Sequence, residues 1–255
     1  MSLEITKQIP IRVHIIPVGF EKDRVVIPAI KMNAEKVILM VMEEDTERGK
    51  MFVENSRTKL KSEGIDVEDY VINFFNLNKN MEAFNHLIKE HKNDDIYINI
   101  STGSKIQALA ALFSAMAAKN EGIRITTYYV EPEIYGQVNE PMSTGIKDII
   151  SIPIFPLPQP SNEIKEATKL LLKHSFSKEE LGKALAEKGV LGDKLKNAAN
   201  DLLNEKIRIS IHSTVQSKII VPMLKEKYIV TEKKGRNIII TLTEFGREAS
   251  NLFTE

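Results

Sequence analysis

The first 130 residues alternate short apolar runs with longer amphipathic segments, and this alternation restricts the fold more than any other feature. Strand-like runs occupy residues 11–17, 36–42, 67–75, 96–100 and 124–130. Residues 36–42 (KVILMVM) are apolar throughout, which is typical of a strand buried on both faces. The segments between the later runs have helical periodicity. We therefore predict an α/β fold with a doubly wound, mainly parallel sheet.

A proline-rich segment at residues 152–160 (IPIFPLPQP) separates this region from a different pattern. Four prolines in nine residues predict an extended segment, because proline fixes φ and has no N–H group. Beyond it, helical patterns at 162–174, 177–188, 193–206 and 214–227 precede a hairpin (228–232 and 237–242) and a last helix from Thr243. This order predicts a C-terminal winged helix-turn-helix domain. The predicted division is a first domain at 1–152, a linker at 153–161 and a second domain at 162–255.

Composition excludes several classes of protein. The chain has no cysteine, so it forms no disulfide and has no thiolate metal site or cysteine nucleophile. No apolar run is long enough to cross a bilayer, which predicts a cytoplasmic protein with no membrane partner. The five histidines are scattered, so we expect neither a metal site nor a cofactor. Residues 162–255 hold 17 basic and 13 acidic side chains, against 18 and 22 before them, which suggests different partners for the two parts.

Two loops follow strands whose carboxyl ends face the crevice where open α/β sheets bind ligands. The first, residues 17–24 (PVGFEKDR), offers Gly19 for a tight turn, Asp23 as a helix cap and Arg24 as a partner for a carboxylate. The second, residues 99–105 (NISTGSK), opens a helix and has the chemistry of an anion cradle, with backbone N–H groups, three hydroxyls and Lys105. Asn99 is suited to brace the turn. A plain capped helix start is the alternative, because Ser and Thr are favoured N-caps.

These two loops together resemble the CARF (CRISPR-associated Rossmann fold) superfamily. The matching positions of the second loop are Asn99, Ser101, Thr102, Gly103, Ser104 and Lys105, where the family pattern is N/D-x-[ST]-G-G-x-[KR]-like. A CARF domain joined to a C-terminal winged helix also resembles the archaeal Csa-type regulators associated with CRISPR loci, and a CARF-like archaeal regulator family. Ser104 departs from the pattern, because a second glycine is common there, and its side chain narrows the cradle.

The resemblance implies a Rossmann-like domain that binds a cyclic oligoadenylate, such as cyclic tetra-adenylate, at the interface of a homodimer. A two-fold-symmetric ring of phosphates fits two symmetry-related sets of donors. Lys105 and the backbone of 101–104 would take phosphates, and Phe20 with the 18–21 loop would lie near ribose or base edges. The implied ligand-binding residues are Val18, Gly19, Phe20, Glu21, Arg24, Asn99, Ser101, Thr102, Gly103, Ser104 and Lys105.

The winged helix predicts contact with double-stranded DNA through a recognition helix at 213–227 and a basic wing tip. Pro222 should kink this helix or shift its start. The predicted DNA-binding residues are Ser213, Thr214, Gln216, Ser217, Lys218, Lys233, Lys234 and Arg236. A KKGR tip is also what any solvated turn looks like, and some winged helices only dimerise.

The function that follows is a ligand-responsive DNA-binding transcriptional regulator, in which a nucleotide bound between two α/β domains changes the spacing of two winged helices. A slow, metal-independent ring nuclease is the first alternative, with Ser101, Thr102 and Lys105 positioning a ribose hydroxyl for attack on phosphate. The second is a dimeric interaction module that binds no DNA.

Overall fold

The structure of the protein, a computed structural model, describes residues 9–136, 143–198, 205–235 and 237–253. The chain divides into two compact units, one ending at Leu157 and the other beginning at Pro158. The strands of the first unit are β1 (Arg12–Pro17), β2 (Lys36–Met42), β3 (Asp66–Ile72), β4 (Asp95–Asn99), β5 (Ile125–Glu131), β6 (Ile134–Tyr135), β7 (Ser143–Thr144) and β8 (Asp148–Ile152). Its helices are α1 (Asp23–Lys31), α2 (Glu47–Ser62), α3 (Leu77–Glu90) and α4 (Lys105–Ala118).

Six of these strands form one sheet in the order β3-β2-β1-β4-β5-β8. The first five are parallel and β8 is antiparallel to β5. Because parallel crossovers are right-handed, α1 and α2 cover one face and α3 and α4 cover the other. Helix α1 packs against α2, and α3 against α4. The predicted Rossmann-like, doubly wound and mainly parallel sheet is confirmed.

The burial of each strand follows its place in the sheet. Strand β2 is buried from Val37 to Val41, as its apolar sequence predicts, whereas β3 lies at an edge and is largely exposed. The strand order reverses between β1 and β4, which are neighbours, so the loops after them leave the sheet side by side. The sequence did not predict β8, because five residues beside a proline-rich segment give a weak strand signal.

Two features of the first unit lie outside the main sheet. Strands β6 and β7 form a short antiparallel pair, in which Ile134 lies opposite Thr144 and Tyr135 opposite Ser143. Helix α4 is the most apolar helix of this unit, and Leu109 and Phe113 are exposed on it. In the part of the chain that the structure describes, no helix is long and apolar enough to cross a membrane.

The second unit contains α5 (Asn162–Leu171), β9 (Phe176–Ser177), α6 (Lys178–Glu187), α7 (Asp193–Ala198), α8 (Glu205–Val215), a π-helical turn (Gln216–Ile220), α9 (Val221–Lys225), β10 (Ile229–Lys234), β11 (Asn237–Leu242) and α10 (Glu244–Ser250). Its three-stranded sheet has the order β10-β11-β9. The helices and this sheet enclose one apolar core that includes Leu181, Val215 and Ile240. This arrangement confirms the predicted winged helix.

The helix before the wing differs from the prediction. It begins at Glu205 rather than at 213, and α8, the π turn and α9 follow one another without a break. The hydroxyl of Thr214 donates to the Ser210 carbonyl (2.9 Å), so it does not cap a helix start. Pro222 occupies the second position of α9, directly after the wider π turn, in which the Val221 N–H donates to the Gln216 carbonyl. Proline lacks an N–H, and a π turn next to it changes the hydrogen-bond ladder locally.

Two residues of the LTEFG sequence, Thr243 and Gly246, determine how the last helix begins and packs. Thr243 is its N-cap, and the Thr243 side chain accepts a hydrogen bond from the Gly246 N–H (2.9 Å). A Cβ atom at Gly246 would lie 2.2 Å from the Tyr228 carbonyl oxygen, so only glycine fits where α10 crosses the start of the wing. The cap and the glycine together fix α10 against β10.

Candidate functional site

The structure brings the two predicted loops into contact at the point where the strand order reverses. The Thr102 hydroxyl, in the loop after β4, donates to the Pro17 carbonyl at the end of β1 (2.5 Å). A Cβ atom built on Gly19 would lie 3.1 Å from the backbone nitrogen of Gly103. Glycine at position 19 therefore allows the backbone of one loop to lie directly on the other.

Only glycine fits at position 103, because of the backbone conformation there and because of the atoms around it. Its φ is +75°, in the left-handed region that favours glycine. A Cβ atom there would lie 2.4 Å from Oε1 of Gln107 and 2.6 Å from Cβ of Pro17. Oε1 of Gln107 also accepts from the Ser104 N–H (2.9 Å), which completes a capping box with Ser104 at the start of α4. The loop thus has one conformation, with Gln107 beneath it.

The three hydroxyls of this loop donate hydrogen bonds within the protein, and their predicted role as ligand donors stays a prediction. Ser101 Oγ donates to Oδ1 of Asn99 (2.5 Å) and accepts from the Val130 N–H (2.7 Å). Thr102 donates to Pro17, and Ser104 donates to the Phe74 carbonyl (3.0 Å). A ring-nuclease role for Ser101 and Thr102 would need hydroxyls that face the ligand.

Other donors of the loop remain available. The N–H groups of Gly103, Lys105 and Ile106 form no hydrogen bond with the described part of the chain, as expected at the first turn of a helix. The Lys105 side chain is exposed and has no ion pair among the described residues. The cradle therefore offers backbone N–H groups and one mobile positive charge rather than hydroxyls.

Several predicted ligand contacts are buried and support the loops instead. Asn99 is fully buried; its Oδ1 accepts from the Ser101 N–H (2.9 Å) and its Nδ2 donates to the Arg24 carbonyl (2.8 Å). This is the bracing role that the sequence predicts. Val18 is also buried, in the apolar core beneath α1. Because these side chains do not reach the surface, we expect them to position the backbone rather than to contact a ligand.

Glu21 and Arg24 form a buried ion pair, not a surface one. Their charged atoms are 3.1 Å apart, with 7% and 5% of the respective side chains exposed. Arg24 Nε also donates to the Val130 carbonyl (2.9 Å), and the Ser143 hydroxyl hydrogen-bonds to Glu21. The pair ties the loop after β1 to β5 and to β7.

The predicted capping role of Asp23 is wrong. Lys22 is the N-cap residue of α1, and its side chain makes no capping hydrogen bond. Oδ2 of Asp23 accepts instead from the Gly145 N–H (2.8 Å), a residue 122 positions later. This long-range contact fixes the segment after β7 beside the loop, which local sequence rules do not reveal.

Phe20 lies in an aromatic cluster that the sequence analysis missed. Its ring meets that of Phe52 edge to face, with centroids 6.1 Å apart, and the Arg48 guanidinium lies 5.2 Å from the Phe20 centroid. Both partners come from the first half of α2, which has no local binding motif. Phe20 thus presents a half-buried ring at the side of the predicted ligand crevice.

A buried polar cluster lies in the sheet below the two loops. The His14 ring stacks on Tyr97 with centroids 4.8 Å apart, and its Nδ1 lies 3.1 Å from the Tyr128 hydroxyl. Burial, assisted by the charge of Arg12, lowers the pKa of His14 to about 4. Burial also raises the pKa of Tyr128. Both groups are therefore neutral at neutral pH.

The second unit contains a cleft of about 730 Å³ between α6, α8 and the start of β11. Its cationic side chains are Lys178, Lys183 and Arg208, and Glu179 is its one carboxylate among the lining residues. His212 also lines the cleft, and partial burial with the neighbouring Lys178 charge lowers its pKa. The cleft is thus positively charged and open between a helix and the wing.

The predicted DNA-binding residues separate into two groups. Ser213, Gln216 and Ser217 line this cleft. Thr214 does not line it, and Lys218 pairs with Glu163 (2.8 Å), so the DNA contacts predicted for these two residues lie outside the cleft and stay predictions. Of the wing residues, Lys233 is exposed, Lys234 lies 3.4 Å from Glu232, and Arg236 is outside the described residues.

Sequence reasoning missed four residues of the cleft: the cationic Lys178, Lys183 and Arg208, and His212. Arg208 and His212 precede residue 213, where the recognition helix was expected to begin. They lie two turns and one turn before Gln216, on the helix face that lines the cleft. Lys178 and Lys183 belong to α6. A helix start placed at 205 would have revealed the first two.

Comparison with known proteins identifies both halves of the chain. Residues 12–135 match the family model "HFX_2341_N-like, N-terminal", and residues 163–254 match the DUF6293 C-terminal winged helix domain. The uncharacterized protein MJ1513 of Methanocaldococcus jannaschii is 34% identical over 127 residues. That alignment covers 48% of this chain and 38% of the relative.

Two solved structures are similar at low identity. Can2 from Sulfobacillus thermosulfidooxidans, solved in complex with cyclic tetra-adenylate, gives a TM-score of 0.41 at 15% identity, covering 94% of this chain and 63% of that one. Enterococcus italicus Csm6, bound to cyclic hexa-2'-fluoro-hexa-dAMP, gives 0.40 at 10% identity, covering 86% and 56%. The chain thus spans less than two thirds of each. Residues 12–135 are thus similar to HFX_2341_N-like N-terminal domains, and residues 163–254 are similar to DUF6293 C-terminal winged helix domains.

Proposed function

We propose that this protein is a DNA-binding transcriptional regulator whose Rossmann-like domain senses a nucleotide ligand. One observation supports DNA binding most strongly: the cleft of the winged helix domain has three cationic side chains against one carboxylate, next to the exposed polar face of α8. Cationic groups neutralise phosphates, and polar side chains on a groove-bound helix contact base edges. The cleft has both, within one domain.

The docking follows from the positions of these groups. Ser213, Gln216 and Ser217 lie on the exposed face of α8 and the π turn, which would enter the major groove. Arg208 and Lys183 would then contact the flanking phosphates, and Lys233 on the wing would reach the backbone nearby. Phosphate contacts position the protein without reading sequence, whereas the helix residues supply the specificity.

Binding of duplex DNA by the purified full-length protein tests this role. We would measure fluorescence anisotropy with a labelled random duplex of about 30 base pairs, from 50 to 200 mM salt. Arg208→Gln and Lys183→Gln should each weaken binding and flatten the slope of log K against log salt by about 1. Lys173→Gln removes one charge from the same domain outside the cleft and should leave both values unchanged. Absence of DNA binding at 50 mM salt would contradict the proposal and favour an interaction module.

The proposed sensor site is the cradle at the start of α4. The free N–H groups of Gly103, Lys105 and Ile106 and the Lys105 ammonium all suit a phosphate. Phe20 provides a ring beside them for a base or ribose. These features and the resemblance of residues 99–105 to the CARF motif support a cyclic oligoadenylate as the ligand.

A homodimer would place two such cradles around one ring. Leu109 and Phe113 are 46% and 37% exposed, four residues apart on α4, whose first turn forms the cradle. An isologous interface through this helix would bury both side chains and relate the two cradles by a two-fold axis. We therefore propose that α4 forms the dimer interface beside the ligand.

Thermal unfolding with cyclic tri-, tetra- and hexa-adenylate tests the sensor site. A ligand at a hundredfold excess over its Kd should stabilise the protein by about 2.7 kcal/mol. We expect one ring size to raise the midpoint, Lys105→Ala to abolish the shift, and Lys119→Ala, at the other end of α4, to retain it. A shift that survives in Lys105→Ala would place the ligand elsewhere, and no shift with any ring would contradict this choice of ligand.

A further inference from the structure

Lys178 is the most deeply buried cation of the winged-helix cleft. It is 8% exposed, and its Nζ lies 2.6 Å from Oε1 of Gln216. No carboxylate lies within ion-pair distance of this ammonium among the described residues. Burial lowers the pKa of Lys178. The hydrogen bond to Gln216 therefore replaces part of the hydration that the Lys178 ammonium loses on burial.

This contact fixes the orientation of the Gln216 side chain. An ammonium group has three donors and no acceptor, so only the carbonyl oxygen of an amide can face it. The amide nitrogen of Gln216 must then point away from Lys178. Nε2 has no hydrogen-bond partner in the part of the chain described, and Gln216 lines the cleft. The end of Gln216 that remains free is a donor with two hydrogens.

Two elements hold the pair in place. Lys178 is the first residue of α6, where a capping box between Ser177 and Glu180 fixes the helix start. Gln216 is the first residue of the π turn, beside the buried Val215 of the domain core. Neither residue lies in a loop. The orientation of the amide is therefore part of the fold of the domain.

We propose that Lys178 makes Gln216 a donor-only reader of a DNA base edge. The inference rests on the DNA binding proposed above. A free Gln amide prefers adenine, because it accepts from N6 and donates to N7 at once. Because its oxygen faces the buried Lys178, Gln216 presents only its amide nitrogen to the groove, so it suits the N7 and O6 acceptors of guanine. Cytosine presents only a donor in the major groove and is excluded, and adenine loses one of its two bonds.

Selection of bound duplexes from a random library, followed by sequencing, tests this inference. The wild-type protein should select guanine at one position of its site. Lys178→Met, which removes the donor but keeps the length of the side chain, should raise the adenine-to-guanine ratio at that position on the order of tenfold. Lys178→Arg should retain guanine, and Gln216→Ala should lose the preference at that position alone.

A matched variant separates orientation from charge. Lys183→Met removes a cation of the same cleft that does not contact Gln216, so it should lower affinity and leave the base profile unchanged. A folded Lys178→Met protein that selects the wild-type profile would overturn the inference, as would a wild-type site with adenine at the position lost in Gln216→Ala. Should Lys178→Met fail to fold, the wild-type and Gln216→Ala profiles still decide it. Failure of the wild-type protein to select any DNA would instead contradict the proposed function.

Discussion

The buried His14 makes the Rossmann-like unit sensitive to mild acid. Burial lowers the pKa of His14 from 6.5 to about 4 in the folded protein. The unfolded chain therefore binds more protons than the native state between these values, and stability rises with pH across this window. Above pH 6.5 the imidazole is neutral in both states and the free energy of unfolding is not reduced. It is reduced progressively as the pH falls towards 4, because His14 is protonated in the unfolded chain only. Between pH 7 and pH 5 the loss is about 2 kcal/mol.

Urea unfolding at pH 7, 6 and 5, followed by tyrosine fluorescence, measures this loss. The chain has no tryptophan, and five of its six tyrosines precede residue 136, so the signal reports mainly the first unit. His14→Phe removes this titration. Between pH 7 and pH 5 its free energy of unfolding should therefore fall by about 2 kcal/mol less than that of the wild type. His86→Gln replaces a histidine whose side chain is 64% exposed and should behave as wild type. Equal pH dependence in wild type and His14→Phe would refute the reasoning.

Three further predictions concern the cradle and α4. Thr102→Val leaves the Pro17 carbonyl without its hydroxyl donor and should cost about 1–3 kcal/mol in urea unfolding, whereas Thr102→Ser should retain most of the stability. Gly103→Ala brings Cβ into Gln107 and should lower the thermal midpoint more than Gly122→Ala, where φ is also positive but nothing lies within 4 Å; equal effects would contradict this. Leu109→Glu should convert a dimer to a monomer in sedimentation, and an unchanged mass would place the interface elsewhere.

The positions of the two loops were predictable, but the directions of their side chains were not. Alternation of strands and helices put both loops at the carboxyl ends of strands, and the reversal of strand order between β1 and β4 brings them together. Whether the Thr102 hydroxyl faces a ligand or the Pro17 carbonyl depends on a contact across 85 residues. The pairing of Asp23 with Gly145 is equally remote. Local rules assigned Asp23 to the nearest helix start, and that assignment was wrong.

The start and length of the recognition helix were also not predictable from local sequence signals. Ser213 and Thr214 have the composition of an N-cap, and Pro222 reads as a helix breaker, so the sequence favoured a short helix. The apolar positions Ile211, Val215 and Met223 continue through both signals and are buried in the core. Tertiary packing of that stripe outweighed the local preferences. Because the helix begins before residue 213, Arg208 belongs to it and lines the cleft.

The effect of a nucleotide on DNA affinity tests the central claim most directly. Anisotropy with a selected duplex should be measured without ligand and with cyclic tri-, tetra- or hexa-adenylate, in wild type and in Lys105→Ala. A regulator must bind its ligand with different affinity in its two states, so DNA affinity should change by about 5- to 150-fold with one ring size. The change should disappear in Lys105→Ala, with basal DNA affinity retained. DNA affinity that no ring alters would contradict a cyclic-oligoadenylate-responsive regulator and leave only a DNA-binding protein.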